Sequence, residues 1–180
     1  MNVDGYIGLG SNMGDRIAVI LHAVEAIDAM QDVAAFRLST LMETAPVGNQ
    51  DQPDFVNAVL QVRSSLDPVR MLDRLLALEL AMGRDRSIGE EGGPRLIDLD
   101  LLLWGDHQLD EPGLELPHPR LAERAFVLIP MVELAPDLVH PVHCCSMQEL
   151  LMKEIKINGP IEDRCRPAGR GPLLDGTDCS

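Results

Sequence analysis

Residues 96–104 read LIDLDLLLW, and that run leaves a chain few ways to fold. Seven of its nine residues are apolar, which demands a core, yet aspartates stand at positions 98 and 100. In a strand, residues two apart project from one face, ~7 Å apart along the backbone. Asp98 and Asp100 therefore point together, while Ile97, Leu99, Leu101 and Leu103 point the opposite way into a core. Charge beside a core is costly unless something of opposite sign meets it. The plain solution is an exposed strand face or an ion pair with Arg95. The other is a divalent cation shared with a polyphosphate, since magnesium favours one or two protein carboxylates completed by water and phosphate oxygens. Two carboxylates can also hold two ions ~3.5–4 Å apart on either side of a phosphoryl displacement. Arg84, Arg86 and Arg95 surround a glycine-rich loop just upstream, and guanidinium groups match phosphate oxygens. Together these features point to a nucleotide-phosphate site.

Composition narrows the partners. The 180 residues carry 15 Lys and Arg against 29 Asp and Glu, a formal charge of -14, which repels nucleic acid and anionic membranes. Concentrated arginines are thus a local exception to the background. No apolar run approaches the ~18 residues that span a bilayer, and MNVDGYIGLGSN lacks the cationic start of a signal peptide. Cys144, Cys145, Cys165 and Cys179 form no CxxC, so free thiols in a reducing cytoplasm are expected.

Periodicity supplies the elements. VDGYIGLGS (3–11) reads as a strand, and Asp15 to Met30 as a helix with an apolar stripe of Ile17, Ile20, Leu21, Ala23, Val24 and Ile27. Ala35 to Thr44 and FVNAVLQVRS (55–64) read as paired strands across the turn-rich APVGNQDQPD. DPVRMLDRLLALELAMG (67–83) is the clearest helix, with Asp67 as cap, Pro68 in the first turn and Gly83 at the end. Its expected buried face is Met71, Leu72, Leu75, Leu78 and Met82. The Asp strand follows, then a turn at 110–119, a short helical region broken by Pro130 and Pro136, and a last helix over Ser146 to Lys156. The order β-α-β-β-α-β predicts an α+β fold: a ferredoxin-like antiparallel sheet with helices packed on one face and C-terminal additions. One domain is expected over 1–157, with 158–180, rich in Gly, Pro and charge, as a disordered tail.

Four blocks, YIGLGSNMGDR, ETAPVGNQDQPDFVNAV, GPRLIDLDLLLWG and LPHPRLAERAFVLIPMVELAPDLVHP, occur in an order and spacing that resemble the 6-hydroxymethyl-7,8-dihydropterin pyrophosphokinases of folate biosynthesis, over roughly residues 3 to 142. The resemblance implies transfer of the terminal diphosphate of ATP to the pterin's hydroxymethyl oxygen, releasing AMP, by a cytoplasmic monomer that uses two magnesium ions. It implies that Asp98 and Asp100 hold the metal. Arg84, Arg86, Arg95, His118 and Arg124 would meet ATP, with Arg84 and Arg95 catalytic. Thr44, Ala45, Val47, Phe55, Asn57 and Phe126 would bind the pterin, the two Phe rings stacking on it. Stacking plus directed hydrogen bonds suits a flat heterocycle with donors and acceptors along one edge. Many relatives carry a basic residue and a Trp where this chain has Glu91 and Gly92. The same fold class also hosts RNA-binding domains and metabolite-binding modules; the acidic charge and scarce aromatics oppose the first. HPVHCC (140–145) has adjacent Cys that suit tetrahedral metal poorly. GLGS (8–11) lacks the Lys of a phosphate loop and reads as a tight turn.

Overall fold

A computed structural model describes residues 2–46, 51–84, 93–162 and 164–170. In chain order these form β1 (Val3–Ser11), α1 (Arg16–Asp28), β2 (Val33–Leu38), β3 (Thr40–Thr44), β4 (Phe55–Ser64), α2 (Pro68–Ala81), β5 (Asp98–Trp104), β6 (Leu109–Glu111), β7 (Leu114–Leu116), α3 (Ala125–Leu134), α4 (Met147–Asn158) and β8 (Cys165–Arg170). The main sheet is antiparallel in the order β5-β1-β4-β3-β8, and β2 also pairs with β4. The expected strand over 35–44 is two strands, because Ser39 interrupts the ladder. Its hydroxyl accepts from the Val59 N–H (2.9 Å) and donates to the Thr40 carbonyl (3.0 Å).

Alternation along each strand sorts residues into two layers. One face carries Ile7 and Leu9 of β1, Val56, Ala58, Leu60 and Val62 of β4, and Leu99 and Leu101 of β5. Ile20, Val24 and Ile27 of α1 and Met71 and Leu75 of α2 close over it. The opposite face carries Tyr6, Val59 and Leu102, covered by Val127, Leu128 and Met131 of α3 and Leu150 and Leu151 of α4. Helices therefore lie on both faces, not one. β4 requires this, since nine of its ten residues are buried.

Three further expectations change. A register shift between Tyr6 and Ile7 turns Leu103 out of the face of Leu99 and Leu101, so it packs in the second core with Leu102. α3 runs through Pro130 rather than breaking there, because burial of Leu128, Pro130, Met131 and Leu134 outweighs one missing backbone donor. The expected disorder from 158 onward does not hold for Cys165–Arg170, which form β8 along the edge of β3. The Asp67 cap matches the reading, accepting from the Arg70 N–H; in addition, Asp15 accepts from the Ala18 N–H, and Ser146 with Glu149 forms a capping box.

His140 is a buried structural residue. Its Nδ1 accepts from the N–H groups of Val142 and His143, both at 3.2 Å. Burial, then the neighbouring His143, holds its pKa down to about 4, against an ordinary 6.5. A group that binds protons more readily when unfolded withdraws stability on acidification. This contribution is whole above pH 6.5 and lost as pH falls to about 4. Acidification over that window should cost about 2–3 kcal/mol through this residue. His140→Asn, whose Oδ1 can accept the same bonds, should flatten that part of the pH profile of thermal melting; an unaltered profile would remove this role.

Candidate active site

α3 and α4 cover only part of their face of the sheet. The uncovered part is a cleft of about 350 Å³, within the usual range for small-molecule sites. Its floor is Gly8 and Gly10 of β1, which pair with Asp100 and Asp98 of β5. A β-carbon at Gly10 would lie 3.0 Å from Asn57 Oδ1, and one at Gly8 would press on Leu102 at 3.4 Å. GLGS thus keeps a strand surface bare beside the acidic pair, a role distinct from the tight turn expected of it.

Asp98 and Asp100 are both half-buried and share the face predicted for them. Asp98 is gripped from two sides. Arg84 Nη1 bonds to its Oδ1, and Arg95 Nε lies 2.8 Å from its Oδ2, close enough to pair though poorly aligned for a hydrogen bond. Asp100 faces His118 Nε2 and Arg124 Nη1, each at 3.9 Å. Four arginines (84, 95, 120 and 124) line the cleft against two aspartates, which makes it locally cationic inside an acidic protein.

His118 has its pKa pushed down to about 4, first by burial and then by the charges of Arg124 and Arg120. It is neutral at pH 7. Its Nδ1 accepts from the Arg120 N–H (3.1 Å), so the proton sits on Nε2, on the side of Asp100. That makes it a neutral donor facing the place where an anion would lie. Burial, then Arg120, lowers the pKa of Arg124.

Two aromatic rings also line the cleft. Phe55 carries the Arg95 guanidinium 4.9 Å from its centroid, and Phe126 carries that of Arg124 at 5.5 Å. Asn57, 8% exposed, donates from Nδ2 to Thr44 Oγ1 at 2.8 Å. That bond fixes the amide, leaving its carbonyl oxygen as an acceptor and the Thr44 hydroxyl as a donor. Ala45 also lines the cleft. Val47 and Arg86 lie outside the described residues.

Three residues escaped the sequence reading. Glu79, in α2, is 1% exposed, pairs with Arg84 Nη1 at 2.5 Å and accepts from the Leu99 N–H at 2.7 Å, between the two aspartates. Its spacing from Leu75 and Met71, one turn each, placed it on the buried face and was the available signal. Asn12 accepts from the Arg95 N–H (2.7 Å) and donates to Gln52 (3.0 Å), joining the two flanking loops. Arg120 lines the cleft with no local pattern to mark it.

The donor set decides which metal fits. Among the described residues, no group of three or more His, Cys, Asp or Glu could hold an ion. Two hard carboxylates alone suit a cation that keeps water and borrows phosphate oxygens, which is magnesium's habit and not zinc's.

Residues 6–136 match the family model described as 7,8-dihydro-6-hydroxymethylpterin-pyrophosphokinase (HPPK). The 2-amino-4-hydroxy-6-hydroxymethyldihydropteridine pyrophosphokinase of Pseudomonas aeruginosa is 42% identical over 136 residues, covering 76% of this chain and 83% of the relative. That of Bacillus subtilis is 39% identical over 138 residues, 77% of this chain and 81% of the relative. The folic acid synthesis protein fol1 of Pneumocystis carinii is 43% identical over 148 residues, or 82% of this chain, which spans only 20% of that longer protein. In three dimensions the chain is similar to Plasmodium falciparum HPPK-DHPS solved with pterin and p-hydroxybenzoate, at a TM-score of 0.70 and 15% identity over 93% of this chain and 45% of that one. With a family model spanning well over half its length and relatives of about its own size near 40% identity, the chain belongs to the 7,8-dihydro-6-hydroxymethylpterin-pyrophosphokinase family.

Proposed function

We propose that the chain moves the terminal diphosphate of ATP to the hydroxymethyl oxygen of 6-hydroxymethyl-7,8-dihydropterin, releasing AMP, with magnesium held by Asp98 and Asp100. The observation that carries this reading is the convergence, in one cleft, of a paired carboxylate, an arginine set, and two Phe rings flanking a fixed Asn–Thr pair.

The hydroxymethyl oxygen attacks the β-phosphorus, the bond from that phosphorus to the α,β-bridging oxygen breaks, and the hydroxyl proton is lost. Alignment and charge neutralisation dominate such transfers, so a strong general base is unnecessary. Bound magnesium would supply charge neutralisation and Lewis-acid polarisation of the phosphates. Arg84 and Arg95 would exchange part of their hold on Asp98 for phosphate oxygens, and Arg124 would sit where the two substrates meet. His118 would donate from Nε2 to the nucleotide. Phe55 and Phe126 would trade their guanidinium partners for the pterin's faces, while Asn57 and Thr44 read its edge. Roles for Arg86 and Val47 rest on the resemblance alone.

The strand order β5-β1-β4-β3 supports a ferredoxin-like frame. β8 supports a domain that extends past 157 to at least Arg170. A reducing cytoplasm accords with three free thiols among the described residues, and a monomer rests on the resemblance alone. No helix of the described residues is long and apolar enough to cross a membrane.

The test is product analysis. Purified protein with ATP, magnesium and the hydroxymethyl pterin should give AMP in proportion to pterin consumed, and none once magnesium is chelated. Pterin uptake without AMP would instead identify a binding module. ADP as the nucleotide product would rule out the diphosphate transfer.

A further inference from the structure

We infer that β8, with the turn leading into it, is a working part of the pterin-binding half of the cleft. The inference rests on the proposed function above, and it concerns residues beyond the 6–136 that match the family.

Three anchors hold the segment. At its root, Arg164 forks onto Glu154 of α4, at 2.5 Å to Oε1 and 3.0 Å to Oε2, and donates to the Gly159 carbonyl at 2.7 Å. Glu154 is only 3% exposed while the Arg164 side chain is 30% exposed, so losing Arg164 would leave a buried carboxylate without its cation. Arg164 is therefore held, and with it the start of β8.

In the middle, Cys165 pairs across the ladder with Thr44, the residue whose hydroxyl orients Asn57. The Cys165 side chain is 6% exposed and shares a small core with Met42 and Ala125, against which Phe126 and Ile129 pack. β8 thus supports the base of one candidate stacking ring and, through the ladder, the backbone of Thr44. A stacking ring performs only if its plane is held, so whatever backs Phe126 bears on pterin affinity.

Outside the cleft lining, Arg166 Nε lies 3.1 Å from Glu43 Oε2 and its Nη2 lies 3.3 Å from Asp54 Oδ2. Glu43 is the last residue of β3 before Thr44 and Asp54 precedes β4, so one side chain of β8 ties together the two strands that carry Thr44 and Phe55. Arg16 of α1 doubles the link from the other side, pairing with Glu43 at 2.9 Å and donating to the Asp54 carbonyl at 2.7 Å. The phosphate-side pairs of Arg84 and Arg95 with Asp98 tie the exit of α2 and the approach to β5 onto β5, whereas these anchors tie β8 to α4, β3 and the approach to β4. The expected signature is therefore asymmetric, falling on pterin and sparing nucleotide.

The experiment uses the full chain with two point variants. Arg166→Glu turns the attraction to Glu43 and Asp54 into repulsion at an exposed position, where folding is safe. Cys165→Phe forces bulk against Phe126 from behind. Dissociation constants are measured by calorimetry for a magnesium-bound non-hydrolysable ATP analogue, and then for the pterin in its presence. Arg166→Glu should weaken pterin by about fivefold and Cys165→Phe by about tenfold, with nucleotide affinity within about twofold of wild type. Arg166→Lys, which keeps the charge, should recover most of the loss. Wild-type pterin affinity in Arg166→Glu, or equal losses for both ligands, would overturn the inference while leaving the proposed function standing. A wild-type chain that takes up nucleotide but no pterin would bring down the parent reading and this inference with it.

Discussion

Asp98→Ala and Asp100→Ala should each fold and each lose turnover by on the order of 10³-fold or more, since one group that neutralises transition-state charge is commonly worth 10²–10³. Asp98→Ala should also lose stability. Asp98 is held by Arg84 and by Arg95 at 2.8 Å, so its removal loosens two guanidinium groups in a partly buried cleft. Thermal melting should therefore fall for Asp98→Ala by the equivalent of about 1–2 kcal/mol. AMP release at saturating magnesium, with near-UV circular dichroism to verify folding, is the measurement. Near-normal release by either variant would refute the metal role given to this pair.

Glu79 should show the second large effect, and it acts through other residues rather than on substrate. Its carboxylate ties α2 to β5 at the Leu99 N–H and holds Arg84 beside Asp98. Glu79→Leu would leave a buried N–H and a partly buried guanidinium each short of a partner, a loss of about 3–5 kcal/mol. Glu79→Gln keeps an acceptor for Leu99 but not the charge that steadies Arg84. It should stay folded, lose roughly 1–2 kcal/mol in denaturant melts, and lose on the order of 10–100-fold in kcat, as when a supporting partner of an active group is removed. KM for the pterin should move less than kcat, because the bonds of Glu79 fall on Arg84 and β5, whereas the Asn57–Thr44 bond joins β4 to β3. A Glu79→Gln chain that is merely less stable, with unchanged kcat, would reduce Glu79 to a structural residue.

Much of the architecture is written in short-range pattern. The helix expected over 67–83 spans Pro68–Ala81, since an Asp cap, a first-turn Pro and a terminal Gly act within a few residues of themselves. The strand at 55–64 is found within those bounds for the same reason. Of the residues assigned to a site, ten line one cleft: Thr44, Ala45, Phe55, Asn57, Arg84, Arg95, Asp98, Asp100, Arg124 and Phe126. His118 stands just behind, 3.9 Å from Asp100. Their grouping came chiefly from the spacing of four blocks resembling a family, since periodicity alone marked only the aspartates and the nearby arginines.

The misreadings share a cause. Ser39 breaks a strand because its hydroxyl reaches β4, twenty residues on. Leu103 changes layers because β5 sets two residue steps, Leu101 to Leu103, against the single step from Ile7 to Tyr6 in β1. β8 is ordered because the edge of β3 accepts its backbone and Glu154 accepts Arg164, although its own composition promises little. Glu79 looks like a surface residue until Arg84 and the Leu99 amide are brought to it.

Read alone, the amino acids settle where the capped helices and the longest strands lie, and which strand shows water two carboxylates, because i to i+2 and i to i+4 relations are local. Which layer covers which face, whether an acidic side chain is sealed inside, and whether a polar tail finds an edge to join are settled only on folding. Those outcomes hinge on hydrogen bonds and contacts between residues tens of positions apart, whose energies exist only once the chain has closed on itself.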